Sequence, residues 1–359
     1  MPDPVARPRL AVLSSSWARK STESAFVMRS IAGALSRHAD VDVLVPGERG
    51  PALPDGLFDV LPLGIDGPGH WPEPAPAEWP GLAPAAVLIE GNDRGAVALA
   101  RLGAPGAAVL AVAFGGGVPP EAVAVLTVGA PSGDTGRAPA GPGALPRPGP
   151  ALLHDVGLHV PVNPLAAERR HIGLGITGYV LVLSDRPGRP EPRDPAPAVA
   201  WLTARFPADP VVVVEGATAS VWTGRALRGT ITVDTRTDLW RLLAHARTTV
   251  DLAPGPLVAR ECVESLRYGT PIVVPARTPA ADLAAEGGGL WYADTAEMLD
   301  CVASVADPAI QASLGTAGRE RADSRYGDAD RFVALVGEAL EIATGDARGP
   351  LIPRVGGGA

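Results

Sequence analysis

Short apolar runs alternate along this chain with longer segments whose apolar residues fall three and four apart. Arg9 to Ser14 predicts a buried strand. Glu23 to Ser36 follows, with Phe26, Val27, Ile31 and Leu35 on one helical face, the spacing of a helix packed on a core. Val41 to Pro46, Phe58 to Leu63, Ala86 to Ile89, Val109 to Ala113 and Val125 to Val128 predict further strands, and Asp93 to Leu102 a helix. A loop rich in Pro, Gly and Trp, Gly64 to Pro84, interrupts the series. Alternation of this kind predicts a doubly wound, mostly parallel sheet.

Gly129 to Pro150 is dense in Gly, Pro and Ala and reads as a linker or exposed loop. A second series then begins. Strands are expected at Tyr179 to Ser184, Val211 to Val214, Ile231 to Val233, Thr249 to Leu252, Ile272 to Val274 and Leu290 to Tyr292. Helices are expected at Ala196 to Phe206 and Asp238 to Ala246, and over most of Thr295 to Ala343. The fold class read from this pattern is α/β, with two Rossmann-like doubly wound domains and helices at the C-terminal end. The expected divisions are 1–150 for the first domain, 151–327 for the second, 328–344 for a terminal helix and 345–359 for a tail. A chain of 359 residues is long for one core and suits two.

The most informative stretch is Val263-Glu-Ser-Leu-Arg-Tyr-Gly-Thr-Pro-Ile-Val-Val-Pro275. It predicts an amphipathic helix that stops at Gly269, turns through Thr270 and Pro271, and enters a strand buried on both faces. The block resembles the Glu-Ala-Met-Ala-x-Gly-Thr-Pro-Val-Val signature of nucleotide-sugar-dependent glycosyltransferases with the GT-B fold. That resemblance implies two Rossmann-like domains with a cleft between them, and a last helix, Asp328 to Ala343, crossing back to the first domain. It also implies that Glu264 binds the ribose hydroxyls of a nucleotide. On that basis Glu264→Ala is expected to weaken nucleotide binding and leave the fold intact. The alternative for Glu264 is a helix carboxylate paired with Arg260 or Arg267.

Other positions follow from the same resemblance. Asp185 to Arg189, after the Tyr179 strand, is similar to the segment whose Arg and Lys neutralise the donor diphosphate, with Arg186 at the Arg position. Lys20 is the only lysine among 31 basic residues, so Arg189 or Arg193 would have to replace that Lys. Val258 and Ala259 stand where backbone amides meet the phosphate, and Val233 to Thr235 where backbone groups hold the base. Pro256 stands where the family carries a donor-sugar glutamate. Glu261, three residues before Glu264, shares its helix face and is not assigned that lost role. In the first domain, Ser15, Ser16, Glu90 and Asn92 are candidate cleft-lining residues. Neither Leu88 to Asn92 nor Ala113 to Gly115 supplies the His that many members use there.

Composition narrows the classes further. A net charge of −8, with no basic run, argues against nucleic acid. Cys262 and Cys301 lie in expected helices and read as small buried hydrophobes of a reduced, cytoplasmic protein. No signal peptide or transmembrane-length apolar run is seen, so membrane contact would be peripheral. The six histidines show no metal-ligand spacing, and Asp40-Val-Asp42 straddles a strand start. Gly173 to Gly178 fits G-x-G-x-x-G but precedes a strand rather than following one. No metal and no cofactor are therefore expected. The function expected is transfer of a sugar from a nucleotide-sugar donor to an unknown acceptor, with retention. The alternative is a catalytically impaired relative acting as a binding or partner subunit. A nucleotide-sugar epimerase shares the architecture but would need cleft carboxylates and a His that this chain does not clearly provide.

Overall fold

The computed structural model describes residues 7–15, 17, 23–37, 39–46, 53–55, 58–62, 84–90, 94–104, 107–113, 124–127, 151–153, 160–169, 173–185, 194–216, 218–233, 235–252 and 258–344. The chain divides into two compact units. One comprises Met1–Leu158 with Ala329–Ala359, and the other His159–Asp328.

In the first unit β1 (Arg9–Leu13) lies centrally. On one side it pairs in parallel with β2 (Asp40–Val45). β3 (Leu53–Asp55) closes that edge antiparallel to β4 (Phe58–Pro62), which is parallel to β2. On the other side β5 (Ala86–Glu90), β6 (Ala108–Ala113), β7 (Ala124–Thr127) and β8 (Ala151–Leu153) continue the sheet in parallel. The strand order is therefore β3-β4-β2-β1-β5-β6-β7-β8. Chain direction across the sheet reverses between β1 and β5, and in open α/β sheets ligands sit beyond the strand ends at such a reversal. Leu13, Leu44, Val87 and Ile89 pack against Val97, Leu99 and Ala100 of α2 (Arg94–Gly103). α1 (Glu23–Leu35) contributes the buried Val27, Met28 and Ile31. Each fully buried Leu, Ile or Val is worth about 1.5–3 kcal/mol against exposure.

β8 corrects one expected boundary. Residues 151–153 were assigned by sequence to the second domain, yet they pair with β7. An Ala-Leu-Leu run is too short to carry a period, and only the pairing places it.

In the second unit β9 (Tyr179–Asp185) takes the central place. β10 (Pro210–Glu215) is parallel to it, and the hairpin β11 (Thr218–Thr223) and β12 (Ala226–Thr232) extends antiparallel beyond. On the other side lie β13 (Ala246–Asp251), β14 (Ile272–Pro275) and β15 (Gly289–Tyr292), all parallel. The reversal here falls between β9 and β13. Val180, Val182, Val211, Val213 and Val250 face α3 (Ala196–Arg205) and α7 (Thr295–Val305). Leu181, Leu183, Val212 and Val214 point to the other face, toward α4 (Arg236–His245). A strand buried on both faces shows no alternation, which is why β9 and β10 read as continuous apolar runs.

α5 (Arg260–Arg267) joins α4 on that second face. α6 (Pro279–Leu283) precedes a π-type turn over Ala284–Gly288, and α8 (Pro308–Tyr326) packs on both this turn and α5. A 3-10 turn over Pro164–Ala166 contacts α4. α9 (Ala329–Thr344) belongs to the first unit, where it packs on α1, β6 and β7 and buries Phe332, Val333 and Val336.

The expected strand Ile231 to Val233 is the end of a longer hairpin strand that sequence reading missed. β12 is exposed along nearly its whole length. Its Ala-Leu-Arg-Gly-Thr-Ile-Thr sequence has no buried face to announce it, and a polar residue such as Arg228 suits a sheet edge.

Candidate functional site

The Gly-Thr-Pro turn after α5 is built as its residues dictate. Gly269 takes φ +77, which a side chain rarely adopts. Its amide donates to Leu266 O at 2.8 Å and the Thr270 amide to Ser265 O at 3.0 Å, the paired bonds that close a helix in a Schellman motif. Buried hydroxyls then fix the turn to its surroundings. Ser265 Oγ donates to Thr270 O at 3.0 Å and lies 2.8 Å from Thr249 Oγ1. Thr270 Oγ1 donates to Leu243 O at 2.8 Å, and Thr248 Oγ1 to Pro271 O at 2.9 Å. α5 is thereby locked to β13 and α4, and so is the orientation of Glu264.

Glu264 is fully buried, and its carboxylate is held by two arginines. Arg236 forms a fork on it, Nε to Oε1 at 2.9 Å with Nη2 on Oε2. Arg260 Nε adds a second bond to Oε1 at 2.9 Å. Arg236 Nη1 also reaches Glu261 Oε1 at 2.8 Å, so the two glutamates three residues apart share one guanidinium. Arg267 takes no part. It donates to Asp323 at 2.7 Å and to the Val160 carbonyl.

Burial pushes the Glu264 carboxyl up, against the pull of Arg236 and Arg260. Burial also disfavours charge on Arg236, but Glu261 and Glu264 more than offset it and hold Arg236 protonated. For Arg260 burial wins and the shift is downward. A fork on both carboxylate oxygens is the geometry of an ionised acceptor. Tyr268 lies next along the chain, its hydroxyl donating to Asn163 O at 2.9 Å. Burial, then Glu264, pushes it up to about 12.

Glu264→Ala therefore removes contacts within the fold as well as any contact to a ligand. The carboxylate is a structural tie between α4 and α5. Nothing in residue spacing places Arg236 on Glu264, because the two sit on different helices and meet only through the fold.

Thr235 caps α4. Its Oγ1 accepts from Asp238 N at 3.2 Å, and Asp238 Oδ2 accepts from Thr235 N at 3.3 Å and from Thr235 Oγ1 at 2.7 Å, a capping box. Thr235 O also receives the amides of Asp238 and Leu239. The backbone groups of Thr235 are thus committed within the helix start, while Val233 is buried just before it. Ala259 is the buried N-cap of α5 and offers no side-chain cap, and Val258 precedes it half-buried. Arg186, Arg189, Arg193 and Pro256 lie outside the described residues, as do Ser16 and Asn92.

In the first unit a polar contact joins the strands at the reversal between β1 and β5. Ser14 Oγ donates to Glu90 Oε2 at 2.6 Å, joining the two strand ends. Ser14 is buried at the end of β1. Ser15 follows, half-buried. Trp17 is buried against Arg29, whose guanidinium lies 4.7 Å from the ring centre and donates to Trp17 O at 2.9 Å.

Both aspartates of Asp40-Val-Asp42 have an arginine nearby. Asp42 accepts from Arg9 Nε at 2.6 Å, and Asp40 lies 3.7 Å from Arg7. Among the described residues no group of three or more His, Cys, Asp or Glu is placed to hold a metal. No helix among them is long and apolar enough to cross a membrane.

No protein-family model matches this chain, and no curated protein matches its sequence. Solved structures do match its fold. Sucrose-phosphate synthase from Thermosynechococcus elongatus aligns over 92% of this chain and 98% of its own, with TM-score 0.63 and 13% identity. HepE of Anabaena, solved in complex with UDP-glucose, aligns over 93% and 99%, with TM-score 0.60 and 15% identity. The spinosyn forosaminyltransferase SpnP aligns over 93% and 100%, with TM-score 0.53 and 12% identity. The fold is that of the GT-B glycosyltransferases, and at these identities the likeness carries nothing finer than fold.

Proposed function

We propose that this chain is a glycosyltransferase that takes a sugar from a nucleotide-sugar donor, working without a metal or resident cofactor in the reduced cytoplasm. The observation that carries the reading is a GT-B fold in which Glu264 stands buried on α5, in the helix–Gly-Thr-Pro–strand block that resembles the family signature. Ribose hydroxyls would replace Arg236 on Oε2. The released guanidinium would then lie near the start of α5, whose N-cap residue, Ala259, has no capping side chain. A helix N-terminus and a guanidinium together suit a diphosphate. Arg186 and Arg189 are the further diphosphate candidates, Val233 the base candidate, and retention the expected outcome.

A second reading has its own observation. The Glu264 carboxylate is already engaged on both oxygens by Arg236 and Arg260. Pro256 replaces the donor-sugar glutamate of the resemblance, and Lys20 is the chain's only lysine. A relative that keeps the fold and serves as a partner subunit would look like this.

A thermal-shift screen against UDP, GDP, TDP, ADP and their sugar conjugates separates the two. A ligand that binds only the folded state raises the melting temperature. A shift with one nucleotide supports the enzyme and names the donor class. NMR of the product anomer then tests retention. No shift at millimolar ligand overturns the enzyme reading.

A further inference from the structure

The second unit contains a cavity of about 510 Å³ on the sheet face that carries α3, opposite the face of α4, α5 and Glu264. Its floor is the β10–β11 pair. Val213 and Glu215 of β10, and Ser220 and Trp222 of β11, line it, with Val213 directly across from Ser220. Its wall is α3, which presents Ala196, Ala200 and Ala204 at successive helical turns. Alanine leaves open the space that a larger residue would close, so the packed core stops here and a pocket begins.

The rim is charged. Asp194 lies at the start of α3, Glu215 at the end of β10, and Arg225 in the β11–β12 turn. Asp194 Oδ1 accepts the Ala196 amide at 2.9 Å. None of the three forms an ion pair among the described residues, although eight of the thirteen described arginines of this unit do. Planar carboxylate and guanidinium groups can each bind two neighbouring hydroxyls. A half-buried tryptophan offers an amphipathic surface to the C–H face of a sugar ring. The volume falls in the range of about 300–1,000 Å³ common for small-ligand sites. Two carboxylates against one guanidinium disfavour a phosphate, which sets this pocket apart from any diphosphate site.

We propose that this cavity is a carbohydrate-binding site that takes one or two neutral sugar units of a glycan. The proposal rests on the pocket's own chemistry and does not require the nucleotide reading above. The test is titration calorimetry and saturation-transfer NMR on the full chain, without nucleotide. The probes are glucose, galactose, mannose, N-acetylglucosamine and their α- and β-linked disaccharides. At least one should bind, and Glu215→Gln and Ala200→Leu should each weaken it by about tenfold or more, equivalent to about 1.4 kcal/mol. Arg225→Gln, in an exposed turn, replaces Ala200→Leu if that variant melts early. UDP should leave sugar binding unchanged. The proposal is overturned if no probe binds at tens of millimolar, if one binds wild type and variants alike, or if UDP displaces it.

Discussion

Replacing Glu264 with alanine removes a fully buried carboxylate that accepts three hydrogen bonds from two arginines. Breaking a buried ion pair by deleting one partner costs about 3–5 kcal/mol when the surviving charge is stranded. Here it is not wholly stranded. The side chains of Arg236 and Arg260 keep 29% and 22% exposure, and Arg236 retains Glu261. The expected loss is therefore about 2–3 kcal/mol, below that range because water and Glu261 share the burden. For a unit spanning His159–Asp328, each kcal/mol lowers Tm by about 2–4 °C, so a fall of about 4–12 °C is expected. Glu264→Gln keeps an acceptor and should lose less. The assay is calorimetry of both variants with Arg236→Ala and the double variant. The cycle should show coupling of about 1–3 kcal/mol. A Glu264→Ala transition within about 1 °C of wild type, or additive single variants, would refute the tie between α4 and α5. Nucleotide binding by these variants must be measured well below both transitions, where lost stability and lost contact separate.

Three further outcomes are expected. Gly315→Ala places a Cβ into the carbonyl oxygen of Gly269, backbone against backbone, and should cost about 1–3 kcal/mol in urea titration; a neutral result would mean that α8 sits farther from the turn. Thr235→Ala deletes the α4 capping box and should cost about 1 kcal/mol, whereas Thr235→Ser should be near neutral; equal losses would discount the cap. Tyr268 is pushed up to about 12 by burial, so the folded state disfavours tyrosinate. That contribution is intact below the ordinary tyrosine value of 10.0 and is lost as pH rises through about 12. Tyr268→Phe should flatten the fall in denaturation midpoint across that interval, and an unchanged slope would count against it.

Much of this protein was legible in its residues. Continuous Val and Leu runs at β9 and β10 announced strands buried on both faces, because no other short element needs apolar residues at every position. The Tyr268-Gly269-Thr270-Pro271 run fixed the end of α5, since a positive φ and a proline are local constraints. The i, i+3 spacing put Glu261 and Glu264 on one face, and both meet Arg236. What escaped was whatever depends on partners distant in the chain. β8 and the β11–β12 hairpin are too short or too exposed to show a period, so only pairing defines them. Ser14 meets Glu90 because two parallel strands end side by side. Above all, a glutamate reads alike in sequence whether it waits for a ribose or already holds two guanidinium groups. Spacing fixes the face a side chain takes, but packing of α4 on α5 decides what that face meets.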